Sequence, residues 1–365
     1  MPPDSLAPAA VVLAVHRREA AADWDALLAA LPEPQRQVLA TAGGRLQRWA
    51  VVARQEGRIL GLAFVWRRPL AAYLKLALLW APGEAALAGD LLRAFERLAV
   101  EEGASVVKLE QAADFPLEER ALLVAGWRPL PAPAGVALED LPRGWARPLL
   151  NSWPSAAPSY YRQTTGMTCG PCALGMALEH QGAAARLQRR DELALWREAA
   201  TLYAPAGPGG CGPLGLAVAA MKRGLRATVF LSSQEAVLLN RASTEDKRDV
   251  MRFVQSEFRR EAAELGATVQ WRAFEMAEIG AALDQGALAI LLIDEDLMHA
   301  EGGPHWVLAH GRYGDAWLVN DPWVDGHLGE SWVDGSHLPI PERHLDRMCW
   351  YGEPAYRPAV GPPPG

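Results

Sequence analysis

The chain has 365 residues, of which 50% are hydrophobic and 22% are charged, and its formal net charge is −7. This length is typical of two domains, and the composition is that of a globular protein. The acidic balance disfavours a nucleic-acid partner, which would need a basic face. We see no apolar run near the roughly 18 residues that would span a bilayer.

The N-terminal sequence and the cysteines indicate the compartment. The first apolar run, VVLAV, has no leading positive charge and is soon followed by Arg and Glu, unlike a signal peptide. Four cysteines are too few for a disulfide framework in a chain this long. They are Cys169, Cys172, Cys211 and Cys349. We therefore expect a cytoplasmic protein in which any special cysteine serves catalysis or metal binding.

Strand and helix patterns alternate over the first third of the chain, from Ala9 to about Pro133. The predicted elements, in order, are a strand at VVLAV, a helix at DWDALLAALPEPQRQVL, a hairpin around Gln55-Glu56-Gly57, a strand at YLKLALLW, a helix at GDLLRAFERLAVEEGA, a strand at SVVKLEQ, a helix at PLEERALLVAGW and a closing strand at RPLPAP. This order predicts an α/β domain over residues 1–133.

The same order, together with the closing segment LLVAGWRPLPA, resembles the GNAT acetyltransferase family over roughly residues 9–133. The resemblance implies acetyl-CoA as a cofactor, bound through its pyrophosphate on backbone amides at a strand-to-helix turn. Relatives carry Arg or Gln and closely spaced glycines there. In this chain the turn, residues 80–90, has neither Arg nor Gln, and Glu84 and Asp90 add negative charge. We therefore predict a degenerate domain for binding or docking.

Composition then changes, and a second unit follows. Residues 134–157 are rich in Pro, Ala and Gly and are predicted to be a linker. Residues 158–356 form the second domain, and residues 357–365 are predicted to be a disordered tail. Helices are predicted at CGPCALGMALEHQG, DELALWREAATLYA, GPLGLAVAAMKRG, ASTEDKRDVMRFVQSEFRREAAELG and EMAEIGAALDQG, and strands at LRATVFL, ATVQWRAF, ALAILLI and the hairpin HWVLAHGRYGDAWLVND. Helices that precede an antiparallel sheet indicate the α+β class.

The segment CGPC at Cys169 has the spelling of a thioredoxin active site. A cysteine at a helix N-terminus is favoured as thiolate, which suits a redox thiol. The residues before it, RQTTGMT, form a polar loop rather than the buried strand that precedes the motif in thioredoxin. A thiol oxidoreductase is therefore kept as an alternative. Cys172 is either a packing residue or a resolving thiol that protects Cys169 from over-oxidation.

Gln163, six residues before Cys169, indicates a different chemistry. A cysteine nucleophile needs a base, a group that orients the base, and donors for the developing oxyanion. The segment RQTTGMTCGPCALGMAL resembles papain-like cysteine peptidases, in particular the bacteriocin-leader-processing branch and its stand-alone relatives. The resemblance covers residues 158–325. It implies a histidine at the start of a later strand and an Asp or Asn after the next strand. Cys211, which also precedes a helix, is interpreted as structural.

The segment PHWVLAHGRYGDAWLVNDPW meets that demand with His305 and Asp321. A three-residue hairpin loop would pair Gly311 with Asp315 and place His305 opposite Asp321, on the same face of the sheet. A register change by one residue would bring Asn320 or Pro322 opposite instead, so Asn320 is the second candidate.

Two nearby features stay open at the sequence level. His299 is placed on a loop that contacts substrate. The run Asp294-Glu295-Asp296 is either a solvated loop or a site for a basic or N-terminal amine.

The predicted function is hydrolysis of a peptide or isopeptide amide by a cysteine peptidase with no metal or nucleotide cofactor. Cys169 is the nucleophile, His305 the base and then acid, and Asp321 the orienting residue. Gln163 and the Cys169 amide donate to the oxyanion. The resemblance implies cleavage after small residues such as Gly-Gly. The alternatives are acetyl transfer with acetyl-CoA in residues 1–133, a thiol oxidoreductase, and an inactive peptide-binding protein.

Overall fold

The computed structural model describes residues 11–18, 24–40, 44–112, 115–135, 141–150, 157–201, 209–299 and 303–361. Two seven-stranded sheets organise these residues, one in each half of the chain. No helix within the described ranges combines the length and the apolar character needed to cross a bilayer.

The first sheet has the strand order β1-β2-β3-β4-β5-β7-β6, with β4 and β5 parallel and every other described pair antiparallel. Its strands are β1 (Val12–Arg17), β2 (Gln47–Gln55), β3 (Arg58–Arg67), β4 (Tyr73–Trp80), β5 (Val106–Gln111), β6 (Arg128–Pro129) and β7 (Arg143–Pro148). The turn between β2 and β3 is tight because Glu56 and Gly57 both adopt positive φ, at 50° and 80°.

Helices cover both faces of this sheet. They are α1 (Trp24–Ala29), α2 (Glu33–Ala40), α3 (Ala85–Glu101) and α4 (Glu119–Val124). Helix α3 makes the crossover that the parallel pair β4 and β5 requires, and it buries Leu91 and Phe95 against the sheet. The sequence pattern predicts one helix where α1 and α2 lie. Pro32 separates them because it lacks an N–H and disfavours helical geometry at the residue before it.

The prediction of a linker over residues 134–157 is wrong where strand β7 lies. Residues 143–148 lie between β5 and β6 in the sheet, within the segment 134–157 that composition had assigned to a connection. Trp145 and Ala146 are buried there. Gly144 and Pro148 within the strand, and Pro142 just before it, gave this segment the composition of a connection. Residues 136–140 and 151–156 of that segment lie outside the described ranges.

The second sheet has the order β13-β12-β11-β10-β14-β8-β9, with only β8 and β9 parallel among the described pairs. Its strands are β8 (Thr228–Phe230), β9 (Thr268–Gln270), β10 (Ala289–Asp294), β11 (Pro304–Tyr313), β12 (Ala316–Asn320), β13 (Leu338–Pro341) and β14 (Ala359–Gly361). The helices are α5 (Cys169–His180), α6 (Arg189–Ala199), α7 (Pro213–Met221), α8 (Glu245–Glu264), α9 (Met276–Asp284), α10 (Trp332–Gly335) and α11 (Glu342–Met348).

Two of these helices are central. Nearly every side chain of α5 and α7 is buried, which explains why both are apolar all round rather than amphipathic. Helix α5 packs on β11 and so brings its first residue to the start of that strand.

The prediction of a disordered tail over residues 357–365 is wrong where strand β14 lies. Ala359–Gly361 pairs with β10 on one side and with β8 on the other, inside a segment that was predicted to be disordered. Only three residues form the strand, between prolines that composition associates with disorder. The rest of the predicted tail, residues 362–365, lies outside the described ranges.

The two halves of the chain share buried polar contacts. The Lys75 ammonium on β4 pairs with Asp334 on α10 and with Glu110 on β5. The Lys108 ammonium on β5 donates to the carbonyl oxygens of Val333, at 2.7 Å, and Ser336, at 2.6 Å. Helix α10 therefore lies on the first sheet, although it belongs to the second half of the sequence.

Candidate active site

Cys169 is the first residue of α5, and its side chain is half-buried. The other three cysteines are buried and unbonded. Burial raises the pKa of the Cys172 and Cys211 thiols well above the usual value, and it raises the pKa of Cys349 to about 12. Exposure alone therefore separates Cys169 from the other thiols.

A cavity of about 140 Å³ opens beside Cys169. Its wall is largely apolar and includes Met167, Leu214 and Trp306. The Trp306 indole N–H donates to the carbonyl oxygen of Cys211 at 3.0 Å, which holds the Cys211 turn against β11. The predicted nucleophile thus borders a largely apolar pocket.

His305 is the second residue of β11 and is buried. Its Nε2 atom lies 2.7 Å from Oδ1 of Asp321, and its Nδ1 atom lies 3.9 Å from Oε1 of Glu295. An imidazole that donates through Nε2 to a carboxylate has Nδ1 left to take a proton. The structure therefore brings His305 and Asp321 together and points to Nδ1 as the basic nitrogen.

Charges around His305 favour its protonated form. Burial by itself would lower the pKa of this imidazole, but Glu295 and Asp321, with a contribution from Cys169, hold it well above its usual range. A protonated imidazole beside a thiolate is the ion pair that activates cysteine nucleophiles.

The predicted hairpin register is wrong, although the contact it was meant to explain is present. Gly311 pairs with Leu318 rather than with Asp315. The turn has two residues, Gly314 and Asp315, because Gly314 adopts a φ of 62° that glycine reaches without steric cost.

The observed register places Asp321, the predicted orienting residue, just beyond the end of β12. A bulge after Ala309 shifts the pairing, and Leu308 lies opposite Asn320. Asp321 follows the last residue of β12 and reaches His305 with its side chain rather than as a directly opposed residue. A bulge next to a functional residue commonly redirects a side chain in this way.

Asp321 is fully buried and uses both carboxylate oxygens. Oδ1 accepts from His305 and from the backbone N–H of Trp323 at 2.9 Å, and Oδ2 accepts from Nη1 of Arg68 at 2.6 Å. Burial would raise the pKa of this carboxyl, but His305 and Arg68 hold it well below its usual range. Asp321 is therefore ionised beside the imidazole.

Asn320, the second candidate, has other partners. Its Oδ1 atom accepts from the backbone N–H of His337 at 2.9 Å, and its Nδ2 atom donates to the carbonyl oxygen of Pro158 at 3.3 Å. These contacts tie β12 to two neighbouring segments and place the amide in a structural role.

Gln163 is buried in the loop before α5. Its backbone N–H donates to the carbonyl oxygen of Pro322 at 2.9 Å, which ties the loop to the segment that carries Asp321. Its side-chain Nε2 donates to the carbonyl oxygen of Thr165 at 2.9 Å. One hydrogen of the amide is thereby engaged, and the other is the one that could serve an oxyanion.

Glu192 on α6 organises this loop, and sequence analysis did not single it out. Its carboxylate accepts from Thr164 N–H at 2.8 Å, from Thr168 Oγ1 at 2.5 Å and from Tyr161 Oη at 2.8 Å. Only the pattern of an acidic residue in a first helical turn was visible in the sequence. The loop forms no strand of either sheet, in contrast to the segment that precedes a thioredoxin motif.

Three further residues around the site come from separate parts of the chain. His299 is buried, with Nε2 3.7 Å from Oδ2 of Asp321, so it lies beside this carboxylate rather than on an open loop. Glu295, from the acidic run, lies near His305 as described above. Arg68, at the end of β3, had no signal in the sequence because 253 residues separate it from its partner Asp321.

The turn at which the GNAT resemblance would place acetyl-CoA lies between β4 and α3. A cavity of about 470 Å³ opens there, with Trp80, Gly83 and Glu84 in its wall, together with Gln35 from α2. The degeneracy of this domain stays a prediction, and calorimetry with acetyl-CoA can test it. Among the described residues, no group of three or more His, Cys, Asp or Glu side chains is arranged to hold a metal ion.

Comparison with solved structures finds acetyltransferases that match the N-terminal region. An IAA acetyltransferase from Bacillus cereus ATCC 14579 is 17% identical over 38% of this chain and 100% of its own, with a TM-score of 0.29. The ribosomal-protein-S18-alanine N-acetyltransferase from Escherichia coli is 13% identical over 40% and 99%, with a TM-score of 0.29. An acyl-CoA N-acyltransferase from Pseudomonas aeruginosa is 13% identical over 38% and 99%, with a TM-score of 0.30.

Comparison with curated proteins finds no match. A sequence model of the Peptidase_C39 like family matches residues 158–361. The match begins at the loop that carries Gln163, includes Cys169, His305 and Asp321, and ends with β14. It spans more than half of the chain, and the chain therefore belongs to the Peptidase_C39 like family.

Proposed function

We propose that the protein is a cysteine peptidase or amidohydrolase that cleaves a peptide or isopeptide amide. The observation that carries the proposal is the 2.7 Å contact between His305 Nε2 and Asp321 Oδ1, which aims the imidazole while α5 presents the half-buried Cys169 thiol. A nucleophile, a base and a group that orients the base are the minimum set for acyl transfer to sulfur.

Attack begins from the thiolate form of Cys169. His305 Nδ1 holds the proton that Cys169 Sγ has given up, and the N-terminus of α5 stabilises the sulfur charge. The thiolate adds to the substrate carbonyl carbon, and the carbonyl electron pair moves to oxygen. The Cys169 backbone N–H and the Gln163 side-chain amide then donate to this oxyanion.

Collapse of the tetrahedral species breaks the carbon–nitrogen bond. His305 Nδ1 gives its proton to the departing amine, which leaves a thioester on Cys169. Water then attacks the thioester while His305 takes one of its protons, and the acid product leaves with the thiol restored. Asp321 stays ionised throughout, because Arg68 and His305 favour its charged form.

The substrate we propose is a peptide or protein segment. The cavity beside Cys169 is largely apolar and is bordered by β11 and the turn at Cys211. The family resemblance favours small residues at the cleaved bond, with the neighbouring side chain in this cavity. An acyl acceptor other than water would make the same site a transamidase.

The test is hydrolysis of a quenched fluorescent peptide library by the full chain. Cys169→Ala is expected to abolish turnover, whereas Cys349→Ala, which removes a buried thiol elsewhere in the second domain, is expected to retain it. Full activity in Cys169→Ala would overturn the proposal.

Thiol labelling gives a test that needs no substrate. Iodoacetamide near neutral pH is expected to alkylate Cys169 first, because burial raises the pKa of the other three thiols. Mass spectrometry of the digested protein identifies the labelled residue. A Cys169 no more reactive than Cys349 would contradict the assignment of the nucleophile.

A further inference from the structure

Arg68 connects the N-terminal domain to the peptidase site. It directly follows β3, and its side chain is completely buried at the junction with the second half of the chain. Nη1 donates to Asp321 Oδ2 at 2.6 Å, and Nη2 donates to the carbonyl oxygen of Trp323 at 2.9 Å. Nε and Nη2 donate to the two carboxylate oxygens of Glu330, at 2.8 Å each.

We propose that Arg68 is a positioning residue for the reaction, supplied by the N-terminal domain, which fixes Asp321 so that its other oxygen faces His305. This inference rests on the proposed function. The two oxygens of Asp321 are divided between the guanidinium and the imidazole, so the carboxylate cannot rotate without breaking one of these bonds. The planar fork of an arginine, held by Glu330 on its other side, suits this fixed geometry.

The charge of Arg68 matters as much as its geometry. Asp321 is fully buried, and burial by itself raises the pKa of a carboxyl group and so favours uptake of a proton. Glu295 and Glu330 lie against its two partners, His305 and Arg68. A protonated Asp321 would no longer stabilise the imidazolium of His305. Arg68 supplies the positive charge that prevents this. The charged and titratable groups around the pair are Arg68, Tyr160, Arg162, Cys169, Glu295, His299 and Glu330.

A purely structural ion pair is the competing explanation, and Lys75 offers a matched control. It is equally buried, lies on the next strand of the same sheet and pairs with Asp334 across the same interface. Within the described part of the chain, its ammonium pairs with Asp334 and Glu110 and not with Asp321 or His305. Loss of either cation removes a buried interdomain pair, but only loss of Arg68 alters the charge beside Asp321.

The experiment measures the rate of Cys169 alkylation by iodoacetamide against pH in the full chain. Removal of a positive charge raises the pKa of neighbouring groups. In Arg68→Met, the midpoint of the rise in alkylation rate with pH (the acid limb) is therefore expected to lie about one pH unit or more higher. Arg68→Lys keeps the charge and is expected to stay near the wild-type midpoint. Lys75→Met is expected to leave the midpoint unchanged.

A second variant, for which the midpoint is expected to shift in the opposite direction, provides the test if Arg68→Met does not fold. Glu330→Gln preserves the shape of the partner but removes a negative charge next to Arg68, so the acid limb is expected to move to lower pH. A wild-type midpoint in both variants would overturn the inference, as would an equal shift in Lys75→Met.

Failure of the inference can be told apart from failure of the proposed function. An ordinary thiol profile for wild-type Cys169, centred near pH 8.5, would overturn both. A low wild-type midpoint that Arg68→Met and Glu330→Gln do not move would overturn the role of Arg68 alone and leave the nucleophile in place.

Discussion

Asp321 and Asn320 are neighbours in sequence whose side chains serve different parts of the molecule. Asp321 holds His305, whereas Asn320 holds the backbone of His337. Asp321→Ala is expected to lower kcat/KM by about 10²–10⁴-fold, because the imidazole loses the group that orients it and stabilises its charge. Steady-state kinetics on the best library peptide checks this.

Asn320→Ala is the matched control for that measurement. It removes the acceptor of the buried His337 backbone N–H and is expected to reduce the free energy of unfolding by about 1–3 kcal/mol. Its kcat/KM is expected to stay within a few-fold of wild type. A large kinetic defect in Asn320→Ala with little effect in Asp321→Ala would make Asn320 the orienting residue.

Substitution of Gln163 tests the proposed stabilisation of the oxyanion. Gln163→Ala removes a donor that acts on the developing negative charge, so kcat is expected to fall by about 10²–10³-fold with little change in KM. Gln181→Ala, at the exposed opposite end of α5, is the control and is expected to be silent. A rise in KM with unchanged kcat would show instead that Gln163 contributes to substrate binding.

Strand β7 depends on a close approach that only glycine permits. A Cβ atom at Gly144 would lie 2.6 Å from the Trp332 ring and 2.9 Å from the Val333 side chain. Gly144→Ala is therefore expected to destabilise the protein by about 1–3 kcal/mol, since the ring must move within a packed interface. Urea unfolding measures the change.

Gly89 on α3 provides the opposite case. The nearest atom to a Cβ there is the end of the flexible Arg93 side chain at 3.4 Å. Gly89→Ala is expected to be neutral or to stabilise by up to about 1 kcal/mol through helix propensity. If both variants were equally destabilised, the contact with Trp332 would not be the cause at Gly144.

The strands of the β11–β12 hairpin could be predicted from the sequence, but their register could not. Apolar alternation located both strands, and the types of residue at their ends predicted the contact between His305 and Asp321. The register was not predictable because a bulge leaves no period in the sequence and a Gly-Asp turn fits loops of two or three residues. The predicted contact is present despite the wrong register because the Asp321 side chain still reaches His305 from the position after β12.

Acid sensitivity is a property of the whole molecule that follows from its buried histidines. Burial, with a contribution from His180, lowers the pKa of His310 to about 3, and its ring lies 5.1 Å from that of His337. The unfolded chain takes up this proton near the usual value of 6.5, but the folded chain does not. Stability is therefore complete above about pH 6.5 and falls as the pH drops towards 3.

The variant His310→Leu tests this sign. One such histidine lowers the free energy of unfolding by about 2 kcal/mol when the pH falls from 7 to 5. In His310→Leu, the decrease over this pH range is expected to be smaller by that amount. His327→Gln, at an exposed position, is expected to keep the wild-type difference. An unchanged pH dependence in His310→Leu would show that this histidine is not held neutral.

Over the chain as a whole, local patterns predicted two units and the residues of a candidate site, but they did not predict how the two halves of the chain join. Cys169 and Gln163 are close in sequence, so their spacing carried a signal. Arg68 and Lys75 act across the interface, on partners more than 250 residues away. No periodicity or spacing records such a pairing, because it depends on how two finished sheets pack together.

The position of β14 has a consequence for the newly made chain. Ala359–Gly361 lies between β10 and β8, and β10 is the strand that pairs with the one carrying His305. During synthesis, the sheet around the site therefore stays incomplete until the ribosome has released residue 361. A nascent chain contains Cys169 and His305 before that moment, but it lacks the strand that joins β10 to β8.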